Sequence, residues 1–255
     1  MERQDYTEQL LEASDYSTIV REVPIFKPST KRRIGFFTGD EQHVISLEKG
    51  IELTRNYRKS TGKNAEAGTY FGREIFEKIL GQNTCVGIRI YYARQTNGRP
   101  TLVLTGAQTN GDDLFQGTLA QEARFSSPVP FVPNQLNSDS VKKNVTVNRQ
   151  TKVFSGKENH YVTLAEAAEL TKNHRESMKE GDAKGAFFGS GIYRKILAQS
   201  NCVGIRIYNA MHNDGSPTFV LVGVDEFGFD LLGGILGQMA MLCPPWCYVF
   251  GPLNK

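Results

Sequence analysis

The chain states one phrase twice, and any fold it adopts must accommodate both. Cys85-Val86-Gly87-Ile88-Arg89-Ile90-Tyr91 recurs 117 residues later as Cys202-Val203-Gly204-Ile205-Arg206-Ile207-Tyr208. At that offset the match runs without a gap from His43 against His160 to Gly117 against Gly234, and 34 of the 75 pairs are identical. So much identity at one fixed offset marks a tandem duplication. The 255 residues then divide into an N-terminal arm (1–35), a first repeat (36–132), a polar linker (133–152) and a second repeat (153–255). The expected architecture is α+β, with two similar lobes related by pseudo-symmetry, each of about 100 residues, an ordinary size for a domain.

Within each repeat the periodicities predict helix, helix, strand, strand. Ser46 is a plausible N-cap before Leu47, Ile51, Leu53 and Tyr57. Its counterpart, Thr163-Leu164-Ala165-Glu166, has the capping-box form, in which hydroxyl and carboxylate satisfy two backbone N–H groups reciprocally. Gly62 and Gly181 fall near the ends of these helices. Phe71, Ile75, Phe76, Ile79 and Leu80 recur at helical spacing, as do Phe188, Ile192, Tyr193, Ile196 and Leu197, and both stripes read as core. Glycines 68 and 72, and 185 and 189, suggest a tight approach to this second helix. Next, Val86, Ile88, Ile90 and Tyr92 alternate with Gly87, Arg89 and Tyr91, the period of a strand. Asn97-Gly98 and Asp214-Gly215 supply the positive φ angles of a hairpin turn. Return strands run over 101–107 and 218–224. The chain closes on a Cys243-Pro244-Pro245-Trp246-Cys247 tail, which the first repeat lacks.

Charge and hydropathy exclude several classes of function. A net charge of +3 makes no electrostatic case for nucleic acid. The longest weakly polar run, from Leu231 to Cys243, is too short to span a bilayer. The N-terminus lacks the basic-then-apolar pattern of a signal peptide, so a cytoplasmic protein with reduced cysteines is expected. The chain contains no Walker loop, strand-linked Gly-x-Gly-x-x-Gly or His-Glu-x-x-His, the motifs that would bring phosphate, dinucleotide or zinc chemistry.

The remaining chemistry lies in the repeated residues. Cys243 and Cys247 with Cys85 and Cys202 lack the paired spacing of a zinc site; Cys243, Trp246 and Cys247 read as a disulfide or a tail anchor. His43 and His160 share one position before the first helix, where a histidine serves as acid, base, ligand or backbone partner. Arg89 and Tyr91 share a strand face, as do Arg206 and Tyr208. They form either an anion-binding or partner-binding surface, or a structural face that is an amphipathic solvent face or pairs each Arg with a carboxylate across the repeat. The leading expectation is a non-enzymatic protein without cofactor or metal that associates with itself as a filament, sheet or shell subunit. The alternative is a small anionic-ligand-binding or sensory protein whose site lies between the two lobes, lined by Arg89, Tyr91, Arg206 and Tyr208; a third is an enzyme that uses His43, His160 or a cysteine.

Overall fold

Ser46 begins the first helix, α1 (Leu47–Thr61), by accepting the Lys49 amide at 3.3 Å. Thr163 begins α3 (Leu164–Arg175) with a complete capping box: Glu166 Oε2 accepts the Thr163 amide at 3.0 Å, and the Thr163 hydroxyl accepts the Glu166 amide at 3.3 Å. Gly62, at φ +86°, closes α1. Gly181 lies beyond the end of α3 in a separate turn, with φ +89°. The computed structural model describes residues 37–62, 65–122, 132–139, 152–244 and 251–255. The expected arm, 1–35, and Trp246 and Cys247 of the tail lie outside the described residues.

The second helix of each half is shorter than the periodicity implies. Gly68–Gly72 is a strand, β2, and α2 spans Arg73–Leu80; Gly185–Gly189 is β6, and α4 spans Ser190–Leu197. The predicted order of helix, helix, strand, strand is therefore corrected to helix, strand, helix, strand, strand. Phe71 and Phe188 fit a helical stripe, but both lie in five-residue strands buried along their whole length. The hairpins follow as expected: β3 (Gly87–Arg94) with β4 (Pro100–Ala107), and β7 (Gly204–Met211) with β8 (Pro217–Val224). Short strands β1 (Val44–Ile45), β5 (Leu119–Gln121), β9 (Leu236–Gly237) and β10 (Met241–Cys243) complete the set.

These strands form two antiparallel five-stranded sheets, and the fold is mixed α+β. One sheet runs β1-β9-β8-β7-β2, the other β10-β6-β3-β4-β5. Both sheets draw on both halves of the sequence. Strand β2 of the first half pairs with β7 of the second, Gly68 facing Tyr208 and Gly72 facing Gly204. Strand β6 of the second half pairs with β3 of the first, Gly185 facing Tyr91 and Gly189 facing Gly87. The two registers coincide after a shift of 117 residues. Boundaries drawn at 36–132 and 153–255 thus do not follow the sheets.

Alternation along the strands sorts the core into layers. Ile88, Ile90, Leu102 and Leu104 of one sheet share a central cluster with Ile205, Ile207, Phe219 and Leu221 of the other, and Ile75, Phe76, Ile192 and Tyr193 of α2 and α4 fill it. The opposite faces are buried too. Leu53 of α1 packs on Tyr208, Val220 and Val222, and Ala167 of α3 packs with Tyr91, Ala93 and Val103. No helix among the described residues is long and apolar enough to cross a membrane.

Candidate functional site

The repeated phrase places Arg89 and Tyr91 on the outer face of β3, and Arg206 and Tyr208 on that of β7. Helices and loops cover those faces, so Arg89, Tyr91 and Tyr208 are fully buried and Arg206 is 2% exposed. A guanidinium in that setting needs a carboxylate close by. Asp113 follows β4 and bridges back to Ala107. Its Oδ1 accepts Arg89 Nη1, and its Oδ2 accepts the Tyr91 hydroxyl at 2.6 Å. The Gly111 carbonyl accepts Arg89 Nη2 at 3.0 Å. In the second half Asp230 accepts Arg206 Nη1 and, at 2.6 Å, the Tyr208 hydroxyl. Gly111 and Gly228 have φ of +88° and +86°, a conformation that favours glycine and turns each chain so that the Asp two residues on meets the strand.

Each cluster is closed by asparagines from a distant segment, the first from the end of the second half and the second from residues 134–137. Asn254 Nδ2 donates to the Tyr91 hydroxyl at 3.1 Å. In the second half Asn137 Nδ2 donates to the Tyr208 hydroxyl at 3.0 Å, and Asn134 Nδ2 to Asp230 Oδ2 at 2.8 Å. Asn137 and Asn254 are 117 residues apart, as are Leu136 and Leu253, both buried beside them. Residues 134–138, expected as linker, thus seat the buried Leu136 and the half-buried Asn137 against the second cluster.

Burial pushes the carboxyls of Asp113 and Asp230 up, against the pull of Arg89 and Arg206. Burial, reinforced by the neighbouring carboxylates, also pushes the Tyr91 and Tyr208 hydroxyls up, so both remain proton donors. Such a cluster holds charge in place and offers no free base or nucleophile.

The histidines are positioned equally firmly. His43 Nε2 accepts the Gly189 amide at 2.9 Å, while Nδ1 faces the Met239 carbonyl at 3.0 Å. His160 Nε2 accepts the Gly72 amide at 2.9 Å, and Nδ1 faces the Gln121 carbonyl at 3.0 Å. Both geometries demand a neutral ring with the proton on Nδ1. Burial lowers both pKa values, against the backbone carbonyls that favour the charged ring. Each ring thus ties its own half to a strand of the other.

Sequence reasoning missed the loop that precedes each histidine. Phe37-Thr38-Gly39-Asp40-Glu41 corresponds to Phe154-Ser155-Gly156-Lys157-Glu158, again at an offset of 117. Phe37 stacks on Phe187 at 3.7 Å between ring centroids, and Phe154 on Tyr70 at 3.6 Å. The Gly39 carbonyl accepts the Gly191 amide in the first turn of α4 at 2.7 Å, and the Gly156 carbonyl accepts that of Glu74 in α2 at 2.9 Å. The signal is a Phe-[Thr/Ser]-Gly-x-Glu-x-His pattern that ends at His43 and again at His160.

The thiols of Cys85 and Cys202 donate to the carbonyls of Gly87 and Gly204 at 3.2 and 3.1 Å. Burial pushes both up, which leaves little thiolate. Cys243 is disulfide-bonded. Among the described residues no group of three or more His, Cys, Asp or Glu is placed to hold a metal ion. A cavity of about 400 Å³ opens beside the first cluster, with Gln82, Gln108, Asp112 and Phe115 in its wall. Amides and the carboxylates of Asp112 and Asp113 line it, and none of its lining residues is a cation for an anionic ligand. The chain matches no family model, no curated protein and no solved structure.

Proposed function

We propose that the chain is a tandem duplication whose two fused units exchange strands, and that it serves as a non-enzymatic, self-associating structural protein, a subunit of a filament, sheet or shell. The recurrence of helices, strands and registers at a single offset supports the duplication. One observation carries the functional reading. The polar side chains of the repeated motif all bond within the molecule: Arg89, Tyr91 and Asp113 to one another inside the first half, and His43 and Tyr91 across to Gly189 and Asn254 of the second. A motif kept twice for that purpose maintains an association between units, and a unit completed by a copy of itself is a homodimer in kind. No observation at Arg89, Tyr91, Arg206 or Tyr208 favours the ligand-binding alternative, since none of the four is more than 2% exposed.

Light scattering on a sizing column, with and without reductant and over a range of concentrations, tests the proposal. The expected result is a mass above the 28.4 kDa of one chain that rises with concentration. A single species at the chain mass throughout would overturn it. Removing residues 1–35 lowers the mass if the arm joins subunits.

A further inference from the structure

Resting on that reading, we infer that the chain associates by exchanging halves: the first half of one molecule completes its sheets with the second half of another copy. The partner is a second copy of this chain. The surface is the set of contacts that now joins the halves within one molecule.

Three observations point there. The first is the identity of the partner strands. Strand β2 faces Gly204-Ile205-Arg206-Ile207-Tyr208, and β6 faces Gly87-Ile88-Arg89-Ile90-Tyr91. All five positions agree, so the paired segment that receives β2 differs in no residue from the one that receives β6. The second is reciprocity. Lys184 accepts the Tyr92 amide and Ala67 accepts the Asn209 amide, both at 2.9 Å. His43 holds Gly189 while His160 holds Gly72, and Asn254 reaches Tyr91 while Asn137 reaches Tyr208. The third is that the strand pairs and the histidine bonds run from one half to the other, so a second chain can supply either side.

Exchange between two chains conserves every one of these bonds. Its equilibrium is then set by protein concentration against the effective concentration of the two halves within one chain. Each half that opens exposes the edges of both hairpins, and an exposed edge is a template for pairing. Exchange is therefore fastest when chains fold together at high concentration.

Asn56 of α1 donates to Asn213 of the β7–β8 turn at 2.8 Å, which joins the first half to the second near the surface. The full chain carrying Asn56→Cys and Asn213→Cys is refolded at high and at low concentration, and the associated fraction is separated by size. That fraction is then oxidised and run under denaturing, non-reducing conditions beside the parent chain. If the halves exchange, it contains a covalent species of twice the chain mass that reductant removes and the parent lacks. An associated fraction that yields only single chains overturns exchange and leaves self-association through an outer surface. The absence of any associated fraction overturns both readings. Thr96→Cys with Asn173→Cys, the pair 117 residues away, repeats the test on the other sheet and covers the case in which the first pair impairs folding.

Discussion

Asp113 illustrates how much depends on single carboxylates in this molecule. It is the shared acceptor of Arg89 and Tyr91, and its removal leaves a guanidinium buried beside an empty site. Asp113→Ala is expected to destabilise the chain by about 3–5 kcal/mol, the range for breaking one side of a buried pair, and a urea titration reads this directly. Loss below about 1 kcal/mol would mean that water reaches Arg89. Tyr193 presents the opposite case. Its hydroxyl is buried with no hydrogen-bond partner among the described residues, and its counterpart 117 residues earlier is Phe76. An unmet hydroxyl costs about 1–3 kcal/mol, so Tyr193→Phe should raise the urea midpoint; an unchanged or lower midpoint would reveal a hidden partner. His43 and His160 tie stability to pH. Burial depresses both below the ordinary 6.5. The unfolded chain therefore takes up protons that the folded chain refuses. Stability is full above pH 6.5 and falls as the pH drops from there through the depressed folded values. The slope is up to about 1.4 kcal/mol per pH unit for each ring. Urea midpoints at pH 7.5, 6.0 and 5.0 should fall in that order, and a flat series would show that the rings are not held neutral.

Strands β2 and β6 are where glycine decides an element's placement. A Cβ on Gly68 would meet the Ile207 carbonyl oxygen at 2.5 Å and the Tyr208 Cα at 2.9 Å, both backbone atoms of the neighbouring strand. Gly68→Ala must push β2 away from β7, and overpacking of that kind costs about 1–3 kcal/mol. Gly233→Ala, where nothing lies within 4 Å, is the control and should stay within about 0.5 kcal/mol. Thermal melts of the two variants compare them, and equal melting temperatures would refute the close approach. The same strands mark the limit of what was legible in the sequence. Both helix starts were readable because a cap is a local signal, complete within Ser46–Lys49 and Thr163–Glu166. The hairpins were readable because alternation and Asn-Gly or Asp-Gly turns are equally local. Phe71 and Phe188 misled because a residue four positions before Ile75 or Ile192 fits a helical face and a buried strand alike. The clusters were half legible: Arg89, Tyr91 and Asp113 each recur with their counterparts, yet spacing does not say that a carboxylate 24 residues downstream folds back to its arginine. The pairing of β2 with β7 left no mark, because a hydrophobic pattern specifies the face a strand buries and not the strand beside it.

Interleaving of the halves sets the behaviour of the whole molecule. Two lobes that each contained one repeat would melt independently, each with its own core. Here each sheet takes strands from both halves, and one central cluster is shared between the sheets and both short helices. Opening either half strips β2 or β6 from a sheet, frees a histidine from its glycine amide and uncovers an Arg–Asp pair. Partial opening therefore exposes charge and strand edges together, and no half-folded state retains a complete core. Urea unfolding should accordingly show one transition, with coincident midpoints by far-UV and near-UV circular dichroism. Because the denaturant slope grows with the surface exposed, a single large unit should give a slope at or above the upper end of the ~1–3 kcal/mol/M found for small proteins, whereas separate lobes would show about half of it each. Two transitions, or midpoints that differ between the two probes, would mean that one half keeps its structure without the other. Interleaving would then contribute little to stability.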